Sequence, residues 1–507
     1  MTNDIFTKKT PLVLAVGAAL SLGVQTAWAE DGEDTPKAPY ELTIGSGEGQ
    51  LKSEISEGTV TIPGDFTGKW TADEETGAVA WEDGDDINIV AGTDSSDKQI
   101  KVSGGKLSIT NAAGSVQFNG GITSIDISSG EFSNASDLYL VSASLNVSGG
   151  SFSNARGSTI TIGQGRDRDG APPEEMVEDH PVTVSGTAGF VNNGKIVLAD
   201  GVDFNVEFKS PTSSQVGDGE DVEAYTPGSF NNSGDYASIT VGTGTFKIAS
   251  SAVMEGEEGP QTEVVYDEAP DDLPVLKMGD IIVNGGTIMN ENTGYLVKGE
   301  SEDSESDSET GDGDGDGDSG ATQEPEPVRH TLVDFDDVTL NNGTFTSATG
   351  ARETGDKLTL NGTKASASFA GYSEWDSIVL NLAALEDEEA TQKEPSDSAK
   401  SITVNADGVL KIGKITLENL TSGSDPLSLS NYVEAKSGDD GQGTKAGSVT
   451  VTDTIAVSEL RGDSAGKFEV DAGALKTANI DVQFDQLRHG QTSALYLGRA
   501  PKERDGR

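Results

Sequence analysis

Residues 125–134 read Ile125-Asp-Ile127-Ser-Ser-Gly130-Glu-Phe132-Ser-Asn134, and residues 145–154 read Leu145-Asn-Val147-Ser-Gly149-Gly150-Ser-Phe152-Ser-Asn154. Each stretch is an apolar-x-apolar strand of period two, a Gly-containing turn and one further large apolar residue ahead of an Asn. Every matched position lies 20 residues from its counterpart. The shape returns at Ile281-Ile-Val283-Asn284-Gly285-Gly286-Thr-Ile288-Met-Asn290 and at Val338-Thr-Leu340-Asn341-Asn342-Gly343-Thr-Phe345. A looser copy is Val182-Thr-Val184-Ser185-Gly186, leading to Phe190 and Asn192.

One such unit cannot bury its own inward residues. Stacked units bury them in a continuous ladder, so the repeat predicts an all-β protein, a parallel β-helix (β-solenoid) with acidic loop insertions. Its core is expected at Ile125, Ile127, Phe132, Leu145, Val147, Phe152, Val283, Ile288, Val338, Leu340 and Phe345. The Asn after each strand fits an inward amide ladder at a bend, because Asn tolerates the left-handed backbone and hydrogen-bonds to its own kind. A β-sandwich also shows short, evenly spaced strands, but its units need not resemble one another as these do. Strand-bearing segments from about residue 40 to 485 allow roughly 12 to 16 coils, a rod of about 60 to 75 Å.

Composition agrees with short strands and turns. The 507 residues hold 64 Gly, and Val and Ile together outnumber Leu two to one. There are 34 Lys+Arg against 86 Asp+Glu, a net charge of −52, with three His and no Cys. Without cysteine there is no disulfide framework, no Cys-ligated zinc and no thiol nucleophile, and the charge opposes nucleic-acid binding. Three His leave little for a His-based metal site.

Residues Met1 to Ala29 carry Lys8 and Lys9, an apolar run from Pro11 to Val24, and Ala27-Trp28-Ala29 ahead of an acidic segment. This is the three-part pattern of a secretory signal, with cleavage expected after Ala29 and the small residues Ala27 and Ala29 at the cut. The apolar run is short of the roughly 20 residues that cross a bilayer. Export to the cell surface or the extracellular space is therefore expected.

The period is interrupted at about 163–181, 211–227, 254–274, 300–327, 386–400 and 436–447. The longest interruption holds 12 acidic residues and no basic one, a composition that predicts disorder. The expected organisation is a signal peptide over 1–29, a first part of the solenoid over 30–299, the acidic loop over 300–327, a second part over 328–490 and a disordered tail over 491–507.

A signal peptide, the absence of cysteine and Gly/Asn/Ser/Thr-rich strands of about 20-residue period together resemble the passenger domain of a bacterial autotransporter, the exported right-handed parallel β-helix of type V secretion. The resemblance covers about residues 40 to 485. It implies an outer-membrane translocator barrel as the export partner, which these 507 residues do not contain. It further implies a surface or secreted protein of adhesin or aggregation type.

Five patterns invite sharper readings. Asp312, Asp314 and Asp316 match the first half of an EF-hand-like calcium loop, but its twelfth position is Gln323, so diffuse cation attraction is the expectation and no cofactor is assigned. Arg461-Gly462-Asp463, between two strands, spells the tripeptide that integrins read in exposed turns. The same turn places Ser464 in a G-x-S-x-G pattern, but a strand pattern follows where the nucleophile elbow needs a helix. His330, Asp376 and Ser464 fall in the order of a serine-protease triad, which only geometry defines. Polysaccharide-cleaving β-helices need clustered carboxylates, and the adjacent pair Asp336-Asp337 should alternate across the strand.

The expected function is non-enzymatic: an exported solenoid that contacts a host surface or like rods and so acts in adhesion or self-aggregation. The alternative is an enzyme, either a carbohydrate-active β-helix or a serine hydrolase using Ser464.

Overall fold

The fold is seen in a computed structural model. Contacts divide the chain into units 1–38 and 39–507. The residues described all lie in the second unit: strands between 41 and 91, then 98–110, 115–119, 122–165, 180–209, 227–251, 265–266, 275–298, 328–381, 401–418, 427–439 and 444–458, and strands at 468–470, 475–477, 482–484 and 495–497. Among them no helix is long and apolar enough to cross a membrane.

The chain runs as a parallel β-helix. One coil takes Ile122–Ile127, Glu131–Asn134 and Asp137–Leu140 as its three sides, and the next takes Ser144–Val147, Ser151–Asn154 and Thr159–Ile162. Each strand pairs in parallel with the strand one coil on: Ile125 with Leu145, Phe132 with Phe152, Leu138 with Ile160. The first side is a sheet of twelve strands, while the second and third sides belong to a single 24-stranded sheet. The tightest coils close in 20 residues, as between Asn134 and Asn154 and between Asn341 and Asn361. Longer coils of 38, 40 and 57 residues each contain one of the interruptions read from the sequence. The strands that follow these interruptions pair in parallel with the preceding coil.

Alternation buries every second residue. Ile125, Ile127, Phe132, Leu145, Val147, Phe152, Val283, Ile288, Val338, Leu340 and Phe345 are all buried. On the second side Phe132, Phe152, Phe190 and Phe230 stack with centroids 5.3, 4.4 and 4.8 Å apart, the spacing that strand pairing imposes. Phe204 from the first side meets Phe190 and Phe230 edge-on at 5.9 Å. At the corner where the second side ends, the Asn134, Asn154, Asn192 and Asn232 amides form a buried chain of donors and acceptors.

Two features differ from the sequence reading. The copies at 125, 145 and 182 turn from the first side to the second, whereas Ile281 and Val283 pair on the third side with Ile239 and Val241, and Ile288 pairs on the first with Phe246. The repeats aligned by eye are thus two different corners of the coil, alike because any corner needs a Gly/Asn turn between two inward residues. Furthermore, from Val275 onward the second and third sides join into single long strands: Val275–Asn284, Val333–Asn341, Arg352–Asn361, Tyr372–Asn381, Val409–Glu418 and Ser448–Ser458. Here the Asn corner gives way to a bend within one strand. At its start Gly279 adopts φ 59, and the Asn chain ends with Asn232 donating to the Met278 carbonyl at 2.6 Å.

Candidate functional site

The bend in the long strands sets the geometry of the outer edge. Phe335 and Val338 are both buried, so the strand turns the corner across the two residues between them. Asp336 and Asp337 therefore both stand on the outer side of the bend, and the alternation expected from strand period is broken there. Because Phe335, Gly355 and Trp375 are in register, and Asp337, Lys357 and Ser377 likewise, Asp336, Asp356 and Asp376 occupy the same corner in three successive coils. Asp280 precedes them one coil earlier and accepts the Asp337 backbone N–H at 3.2 Å.

The result is an acidic edge. Burial raises the Asp336 carboxyl above the usual carboxylate range, and the charges of Asp280, Asp356, Asp334 and Asp337 raise it further. Asp356 is raised in the same sense by desolvation and then by Asp376, Asp334, Asp337 and Asp280. Asp280 is raised by burial, against the opposing hydrogen bond from Asp337. Lys357 faces the row at close range, its Nζ 3.7 Å from Asp337 Oδ2. Carboxylates at strand spacing repel one another and gather counter-ions, although no group of acidic or His side chains among the described residues closes into a metal site.

A second carboxyl lies inside. Glu353 is fully buried on the second side, in register between Val333 and Ser373. Asn290 Nδ2 donates to its Oε2 at 2.6 Å, Ser347 Oγ donates to the same oxygen at 3.0 Å, and Ser373 Oγ donates to Oε1. Burial pushes Glu353 up to about 7 against these three donors and the neighbouring Arg352. The Arg352 guanidinium stacks over the Tyr372 ring at 4.1 Å, and its Nε has no hydrogen-bond partner among the described residues.

Of the residues singled out in the sequence, Ala27, Ala29, Asp312, Asp314, Asp316, Arg461, Gly462, Asp463 and Ser464 lie outside the described residues. His330 sits on the strand Val328–His330, paired antiparallel with Tyr295–Val297, its ring stacked on Tyr295 at 5.2 Å. Asp376 belongs to the acidic edge instead. Neither the edge nor Glu353 is legible in the sequence, because partners such as Asp280 and Asp337, 57 residues apart, and Asn290 and Glu353, 63 apart, are brought together only by the register.

Compared with protein-family models, curated proteins and solved structures, the chain matches none. The fold and the stacked register define its class, a parallel β-solenoid.

Proposed function

We propose that the protein is an exported, non-enzymatic solenoid of autotransporter-passenger type that works by distributed contact, in adhesion to a surface or in association of like rods. The observation that carries this reading is the repetition of outward side chains in register from coil to coil. On the third side Thr161, Val197, Thr240, Ile282, Thr339, Thr359, Val379 and Thr416 form one continuous rank. Such a rank offers many weak, equivalent contacts rather than one cleft. The acidic edge runs along the same long strands, and together with the net charge of −52 it opposes close approach of two rods unless cations bridge them.

Sedimentation velocity of the exported chain, titrated with calcium and separately with sodium chloride, tests this. Association that strengthens with either cation supports the reading, and more steeply with calcium if carboxylates are bridged. Sedimentation unchanged in both titrations removes self-association and leaves adhesion to a foreign surface, to be read by binding of the labelled protein to cells.

A further inference from the structure

Along the second side the inward ladder runs Leu107, Phe132, Phe152, Phe190, Phe230, Leu276, Val333, Glu353, Ser373, Leu410 and Val449, each in register with the next. Nine of these eleven positions are apolar; the two polar ones, Glu353 and Ser373, are adjacent and bonded to each other. Glu353 is the one carboxyl among the buried residues described. A charged side chain at such a position carries a large desolvation cost, so its place in an otherwise apolar ladder calls for a reason.

The surroundings are built to accept two protonation states. An ionised Glu353 accepts three hydrogen bonds, from the Asn290 amide and from the hydroxyls of Ser347 and Ser373. A protonated Glu353 needs an acceptor for its own O–H, and either hydroxyl provides one by rotating, since Ser both donates and accepts. The charged groups on the strands around it point elsewhere. Asp334, Asp336 and Asp337 on Val333–Asn341, Glu374 and Asp376 on Tyr372–Asn381, Glu291 on Thr287–Glu291, and Asp356 and Lys357 on its own strand all hold outward or corner positions. Among charged groups only Arg352, next in sequence, favours the ionised form. Arg352 faces outward, is half-buried and is itself disfavoured as a cation by burial and by Arg329 nearby.

We infer that Glu353 makes the coil beginning at Arg352 a pH-operated joint in the solenoid. Protonated, the carboxyl is a neutral, hydrogen-bonded filler of the ladder; ionised, it promotes local opening of that coil while its neighbours stay closed. Because each coil contacts only the coils before and after it, such opening remains local. The folded coil holds the proton to a higher pH than the opened coil does, so its resistance to opening is greatest in acid and is lost as pH rises from the ordinary glutamate range through neutrality.

Hydrogen exchange read by mass spectrometry, corrected for the intrinsic pH dependence of exchange, tests this on the full chain. Peptides over 344–381 should lose protection on the order of a hundredfold between acid and mildly alkaline pH, while peptides over 182–209 stay constant. Glu353→Gln should abolish the pH dependence at 344–381. The same loss of protection in E353Q, or no loss in the wild type, overturns the proposal. If E353Q fails to fold, Ser373→Ala decides instead. Removing one donor to the ionised form moves the midpoint of the transition to higher pH if Glu353 is the titrating group, and an unmoved midpoint overturns the inference.

Discussion

The side-chain amide of Asn154 donates to the side-chain carbonyl of Asn192 at 2.8 Å, and Asn192 passes the pattern on, donating to Asn232 at 2.6 Å. Every capacity of Asn192 is used. Its carbonyl also accepts the Gly194 N–H at 3.2 Å, and its amide also reaches the Ser238 carbonyl at 3.3 Å. The chain is therefore directional: each amide donates toward the next coil and accepts from the previous one. An aspartate at 192 can still accept, but when ionised it sets an acceptor against the Asn232 and Ser238 oxygens. Asn192→Asp should destabilise by about 2–5 kcal/mol at neutral pH, the cost of leaving buried partners unmatched. The new carboxyl is held above its usual range in the folded coil, so the loss should shrink as pH falls from neutrality through that raised value towards about 4. Urea denaturation at two pH values measures both, and equal losses at the two would contradict the directional chain.

Phe190 sits between Phe152 and Phe230, 4.4 and 4.8 Å from their centroids, and is fully buried. Removing it leaves a cavity bounded by aromatic faces on both sides, which the stacked backbones cannot close because strand spacing is fixed by pairing. Phe190→Ala should cost about 3–5 kcal/mol, and Phe190→Leu less than half of that. The midpoint of urea unfolding checks the order of the two.

The solenoid was legible in the sequence because its cause is local. An apolar-x-apolar triplet, a Gly turn and a large apolar residue state a corner and what it buries, as Ile125, Ile127 and Phe132 do. What the triplet does not state is which corner. Ile281 and Ile125 look alike in sequence yet lie on different sides of the coil, since a turn of similar composition serves both. The long strands were hidden for a related reason. In Arg352–Asn361 the bend falls at Asp356-Lys357, two outward residues in a row that break the period-two alternation by which a strand is read. The acidic edge and the Glu353 cluster depend on register between coils separated by insertions of unequal length. No local pattern encodes that offset.

Asp336 and Asp356 stand one coil apart on the acidic edge, and after burial the Asp356 charge is among those that hold the Asp336 carboxyl above the usual carboxylate range. Asp356→Asn should therefore lower Asp336 toward its ordinary value, a change visible in a carboxyl-detected NMR titration. The folded chain binds protons on this edge more tightly than the unfolded chain does, so the edge weakens the fold as pH rises through the raised values. Millimolar calcium should offset that weakening in the wild type and do so less in D356N. An Asp336 titration that does not move would show that the Asp356 charge does not reach it.

Gly355 lies beneath the Trp375 ring, in register with it on the neighbouring long strand. A Cβ on residue 355 would fall within bonding-clash range of Trp375 Cζ3 and Cε3, and Trp375 has little room to withdraw. Its ring is stacked on Phe335 at 5.7 Å and meets Phe345 edge-on at 5.8 Å, with 1% of its surface exposed. The glycine is thus required by the indole rather than by backbone conformation. Gly355→Ala should destabilise by about 1–3 kcal/mol through overpacking. Trp375→Leu alone should also destabilise, because it empties the volume the ring fills. In the double variant the added methyl enters space that the shorter side chain has vacated, so the two losses should add to less than their sum. A double-mutant cycle in urea measures the coupling directly. Strict additivity would mean that the methyl group is accommodated elsewhere and that the indole does not dictate the glycine.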